Sequence, residues 1–178
     1  MIRKILSPSD LSANSKTGVA YAISLVRENR AELIIFHAAS ISFPLLACPC
    51  EVDPLFGRNC VPRFTVDQLM REGESKLIHF IHAHLGDEFR GLRWKPKISL
   101  GKPAKEIVTA ACQEEADLIV MAKKKKRPLS RLLSRSISEA VSRQAYCPVV
   151  SVSPPQTQRL WRGWRVPLIG GVVQGSEA

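Results

Sequence analysis

The segment from Ala116 to Val152 constrains the fold of this chain most. Ala116-Asp117-Leu118-Ile119-Val120-Met121 carries an apolar run too short for a helix, and it breaks abruptly into Lys123-Lys124-Lys125-Lys126-Arg127-Pro128. Such a run reads as a strand of a parallel sheet, buried on both faces. A helical stretch from Leu129 to Gln144 follows, and then a second buried strand, Cys147-Pro148-Val149-Val150-Ser151-Val152. Where a strand of this kind hands over to a helix, free backbone N–H groups and the helix dipole converge, which is where phosphates usually sit.

The rest of the chain repeats the alternation. Ile2 to Ser7 reads as a strand. Asn14 to Arg30 reads as a helix with apolar Val19, Ala22, Ile23 and Val26, and Glu32 to Ala38 as the second strand. A second helix runs from about Val66 to Leu85, where Leu69, Met70, Gly73, Leu77, Phe80, Ile81 and His84 keep helical spacing along one face. Arg93 to Leu100 is the third strand, and Pro103 to Glu114 the third helix, with proline in its first turn. Strands alternating with helices imply right-handed crossovers and a parallel sheet covered on both faces. Two regions stand outside this frame. Residues 40–64 form a long, proline-rich connection, and after Pro154-Pro155 a tail runs to Ala178. The expected organisation is one domain over 1–153, with an irregular loop at 40–64, and an extension over 154–178.

The 178 residues suffice for one core, with 45% hydrophobic and 24% charged residues. No apolar run reaches membrane-spanning length, and Met1-Ile2-Arg3-Lys4-Ile5-Leu6 passes straight into a strand, so the cytoplasm is the expected compartment. The net charge is +10, and seven positive charges fall between Lys123 and Arg135 with no acid among them. Such a cluster either attracts an anion or forms a solvated loop. Five cysteines without an export signal argue against a disulfide framework. Cys112 and Cys147 read as small core residues. Cys48, Cys50 and Cys60 do not match a zinc spacing, and His79, His82 and His84 fall on a helix, so no metal is expected. Glu114 and Glu115 read as surface acids. With no nucleophile elbow and no paired carboxylates beside a base, the chain is expected not to be an enzyme.

The carboxyl half resembles the universal stress protein family, whose pattern is a strand, Gly-x2-Gly-x9-Gly-Ser/Thr, and a helix ending in a Cys-Pro-Val strand. Ala122, Lys125 and Arg135 stand at the three glycine positions and Ser136 at the hydroxyl position, without a gap. The likeness extends through Gly101-Lys102-Pro103-Ala104-Lys105-Glu106-Ile107 and, at the amino end, Ile5-Leu6-Ser7-Pro8-Ser9-Asp10-Leu11-Ser12. It implies a single doubly wound, Rossmann-like domain of the adenine nucleotide alpha hydrolase-like type, with a five-stranded parallel sheet in the order 3-2-1-4-5. In ATP-binding members, residues resembling Pro8, Asp10 and Ala38 surround the adenine. Those resembling Met121, Ala122, Lys125, Arg135, Ser136 and Ile137 hold ribose and phosphates. Asp10 can accept hydrogen bonds from a ligand, and either Asp10 or Ser12 can cap the first helix.

Glycine in a phosphate loop lets the backbone approach the anion, whereas Lys125 and Arg135 fill that space with side chains. ATP is therefore expected to bind weakly or not at all in the family manner, and no resident cofactor is expected. The reading is a non-enzymatic, cytoplasmic stress-response protein that forms a homodimer through Cys147–Val152. One alternative is a module for a nucleotide or another phosphorylated, anionic ligand near Asp10 and the basic loop. The other is a binder of nucleic acid or acidic membrane through Lys123–Arg127 and the tail, where Trp161 and Trp164 alternate with Arg159, Arg162 and Arg165. Gly163 and Pro167 break any amphipathic helix there, which favours tryptophans packed on the domain itself or on a partner subunit.

Overall fold

Each apolar run forms a strand in the structure, a computed structural model that describes residues 1–39, 52–53, 57–58, 65–123 and 136–153. In chain order the elements are β1 (Lys4–Pro8), α1 (Ala13–Asn29), β2 (Glu32–Ala39), β3 (Val52–Asp53), β4 (Gly57–Arg58), α2 (Val66–Leu85), a 3-10 turn (Gly86–Phe89), β5 (Arg93–Leu100), α3 (Pro103–Gln113), β6 (Leu118–Ala122), α4 (Ile137–Gln144) and β7 (Val149–Val152). Strands β5-β2-β1-β6-β7 form the five-stranded parallel sheet. Counted along the chain without the short β3–β4 pair, this is the order 3-2-1-4-5. The pair β3–β4 is a separate antiparallel ladder inside the long connection.

Alternation along the central strands divides the core in two. Ile5, Leu33, Ile35 and Val120 face α1 and α2, where Val19, Ile23, Leu77 and Ile81 are fully buried. Leu6, Ile34, Phe36 and Ile119 face α3 and α4, against Ile107, Ala111 and Val141. Both faces of β1 and β2 are thus apolar, as helices on two sides of a sheet require. The helix ends follow local chemistry. Ser12 caps α1, Thr65 and Gln68 form a reciprocal capping box on α2, and Ser136 caps α4.

Three expectations need correction. The buried stripe of α2 ends on Leu85, four residues after Ile81, while His84 is exposed and sets its ring edge-on to Phe80 at 5.1 Å. Cys112 is exposed, because Ile107, Ala110 and Ala111 already fill the arc of α3 that meets the sheet. Glu114 is not an ordinary surface acid. Its side chain is 15% exposed and bonds Lys95 at 2.6 Å and Lys97 at 2.7 Å on β5. The cysteines 48, 50 and 60, most of the basic loop with Lys125 and Arg135, and the tail lie outside the described residues.

The two edges of the sheet differ. Edge strand β5 presents Arg93, Lys95 and Lys97 and contains Pro96, features that discourage further strand pairing. Edge strand β7 carries Val149, Val150 and Val152, all half-buried, with one exposed serine, Ser151, and no charge.

Candidate functional site

Neighbouring strands β1 and β6 send their chains to opposite sides, β1 through α1 to β2 and β6 through α4 to β7. Their C-terminal ends form the switch point, where open α/β sheets bind ligands. The turn leaving β1 is fixed by its serines. The Ser9 amide donates to the carbonyl of Phe36 at 2.8 Å, and His37 donates from Nδ1 to the carbonyl of Ser9 at 2.9 Å. The Ser15 hydroxyl donates to the carbonyl of Ser12 at 2.7 Å, so in the 2.9 Å pair between Ser9 and Ser15 the Ser9 hydroxyl is the donor. Ser9 Oγ in turn accepts from the Leu11 amide at 3.1 Å. Every buried hydroxyl in this relay is satisfied. The relay holds Leu11 at φ 59°, a left-handed conformation that a leucine rarely adopts.

This rigid turn carries Asp10, which is exposed at its tip. One carboxylate oxygen accepts from both the amide and the hydroxyl of Ser12, while Ser12 Oγ accepts from the Ser15 amide at 3.3 Å. Ser12 is therefore the cap of α1, and Asp10 orients the capping hydroxyl. On the adjacent strand Met121 is buried and Ala122 half-buried. Helix α1 lies directly on this strand end. A Cβ on Gly18 would stand 2.6 Å from the Ala122 nitrogen and 3.0 Å from the Met121 carbonyl carbon. Lys123 is tied on both main-chain groups, its amide donating to Val152 at 2.7 Å and its carbonyl accepting from Asn14 Nδ2 at 3.4 Å.

Pro8 thus ends β1, Asp10 lies in the turn after it, and Met121 and Ala122 end the paired strand β6. Ala38 lies on β2, half-buried and in register with Ser99 of β5. Ser136 opens α4 with Oγ accepting from the Glu139 amide at 3.2 Å and 2.9 Å from Ser138 Oγ, and Ile137 next to it is exposed. Sequence reasoning missed the Ser9–Ser15 relay and Gly18. A glycine inside a helical pattern was the available signal for a close approach.

The shifted carboxylates lie at the opposite end of the sheet. Hydrogen bonds from Lys95 and then Lys97 hold Glu114 below its usual range. Those from the amides of Arg3 and Lys4, at 2.7 and 2.9 Å, do the same for Asp117. Both read as structural ties. Among the described residues no cluster of three or more His, Cys, Asp or Glu could hold a metal, and no helix is long and apolar enough to cross a membrane.

The geometry defines a doubly wound α/β protein with its switch point at the C-terminal ends of β1 and β6. The chain belongs to the universal stress protein family: residues 64–153 match that family's model. A universal stress protein of Methanocaldococcus jannaschii is 28% identical over 158 residues, covering 89% of this chain and 86% of the relative. Among solved structures, the universal stress protein UspA from Lactobacillus plantarum shares the fold with a TM-score of 0.62 and 21% identity, over 85% of this chain and 97% of that one. A universal stress protein in complex with cAMP aligns with a TM-score of 0.54 and 20% identity, over 85% and 97%.

Proposed function

We propose that the chain acts in the stress response as a non-enzymatic, cytoplasmic two-fold dimer joined through Cys147–Val152, and that it does not hold ATP in the family manner. The contrast between the two sheet edges carries this reading. The cationic, proline-bearing β5 discourages pairing, whereas β7 offers an uncharged valine edge that would otherwise invite aggregation. A strand paired with its own copy across a two-fold axis covers itself and leaves no edge. The ATP part of the reading rests on the substituted loop sequence. Ala122, Lys125 and Arg135 replace the glycines, the first loop amide (Lys123) is already bonded to Val152, and the Ser136 hydroxyl is engaged as a helix cap.

A second reading, a nucleotide or phosphorylated ligand at the switch point, is favoured by the exposed and rigidly mounted Asp10 and by the cAMP held by a relative of the same fold. Light scattering of wild type and Val150→Lys tests the dimer. A lysine at a buried pairing surface must lose its water, so the variant should be monomeric or insoluble. An unchanged dimer mass would place the interface elsewhere.

A further inference from the structure

The C-terminal end of α1 and the turn into β5 enclose an open cavity of about 430 Å³, at the end of the sheet opposite the switch point. Its lining combines two kinds of residue. Val26 and Ala31 are buried and Leu92 half-buried, while Arg27, Arg30 and Arg93 are exposed. Gly91 turns the chain at φ 77°, and the space around it is open, since a Cβ there would meet nothing within 4 Å.

None of the three guanidiniums makes an ion pair with a described residue, and two of the four acids near them in the chain, Glu32 and Asp87, pair with other cations. Glu32 lies 3.9 Å from Lys95, and Asp87 lies 3.8 Å from Arg90. Arg27 donates to the carbonyl of Glu88, and Arg93 to the carbonyl of Arg30, each at 2.8 Å. A guanidinium has five N–H donors in a planar fork, so these single bonds orient the groups and leave most donors for a ligand. The carbonyl end of a helix repels anions, but three carbonyls at this end already accept hydrogen bonds. That of Val26 accepts from the amides of Arg30 and Ala31, that of Leu25 from Asn29, and that of Arg30 from Arg93.

We propose that this cavity binds a phosphate group carried on a small molecule, whose apolar part rests on Val26, Ala31 and Leu92. Three arginines around one opening more than offset the negative charge of a phosphate monoester, and their forks match its oxygens in pairs. The site is separate from Asp10 and Lys123, so it stands whether or not the switch point binds a nucleotide.

Phenyl phosphate is a suitable probe, because it joins a phosphate to a small apolar ring. In an NMR titration at low salt the amides of Arg27, Arg30, Gly91, Leu92 and Arg93 should shift and saturate, with a dissociation constant of about 1 mM or tighter. Arg30→Asn should weaken binding roughly tenfold. Asparagine tolerates the left-handed conformation of position 30, where φ is 53°, so the fold should survive. If the melting curve shows otherwise, Arg30→Gln provides the same comparison. Replacing Lys123, Lys124, Lys125 and Lys126 with Ser should leave the affinity unchanged. Absence of saturable shifts up to about 10 mM, equal affinity in a folded position-30 variant, or shifts confined to Lys123 and the start of α4 would each overturn the proposal. A response only to vesicles containing phosphatidic acid would overturn it as well, because the ligand would then be a membrane surface.

Discussion

Replacing Gly18 with alanine should destabilise the domain, although alanine is the better helix former. Helix propensity alone favours the change by about 1 kcal/mol. The added methyl, however, would stand 2.6 Å from the Ala122 nitrogen and 3.0 and 3.3 Å from two main-chain carbons of Met121. These are main-chain atoms at the end of β6, an interior strand, which cannot rotate aside as a side chain could. Relief requires α1 to retreat from β6 by roughly an ångström, and overpacking of this kind costs about 1 to 3 kcal/mol, with rigid backbone neighbours toward the upper end. The expected net loss is therefore about 2 kcal/mol, or roughly 4 to 8 °C in melting temperature for a domain of this size. Gly73→Ala on α2 is the internal control. There the new methyl meets Ile98 Cγ2 at 3.1 Å and Ala39 Cβ at 3.6 Å, and the isoleucine can yield, so the effect should be small. Urea titration of both variants decides the matter. A Gly18→Ala protein as stable as wild type, or less affected than Gly73→Ala, would refute the close seating of α1 on the switch point.

Two further outcomes follow from the same geometry. Glu114 is held below its usual value of 4.5 by Lys95 and Lys97, so its contribution is full above pH 4.5 and is lost as pH falls through the depressed value. Glu114→Gln should therefore be destabilised near neutrality, and urea midpoints measured against pH should show the gap to wild type closing in acid. Ser12→Ala removes the cap of α1 and the hydroxyl that Asp10 accepts from, and should cost about 1 kcal/mol by thermal denaturation while leaving the helix in place.

Much of the frame was legible because short apolar runs and helical spacings alternate cleanly. The bounds of α2 and β5 emerge from periodicity alone, and Gly101-Lys102-Pro103 marks the start of α3. The strand order was not legible from periodicity. It came from the family resemblance, since nothing in a single strand states which neighbour it will pair with. Misreadings fell where side-chain direction matters by one residue. His84 and Leu85 are both apolar enough to extend a stripe, and only the packed helix shows that position 85 completes it. Glu114 follows a helix end, where an acid usually meets water, and its partners come from a strand some twenty residues earlier. Pro8, Asp10 and Ser136 were read from the family pattern alone, whereas the bonds that tie the Ser9 turn to β2, from the Ser9 amide to Phe36 and from His37 to Ser9, join residues too far apart along the chain to be read from it.

Native mass spectrometry of the purified protein, without added nucleotide, tests the central claim most directly. Pairing through β7 and a phosphate loop without its glycines predict a species of twice the chain mass with no ATP attached. A single-chain mass, or one ATP retained per chain, would contradict the account.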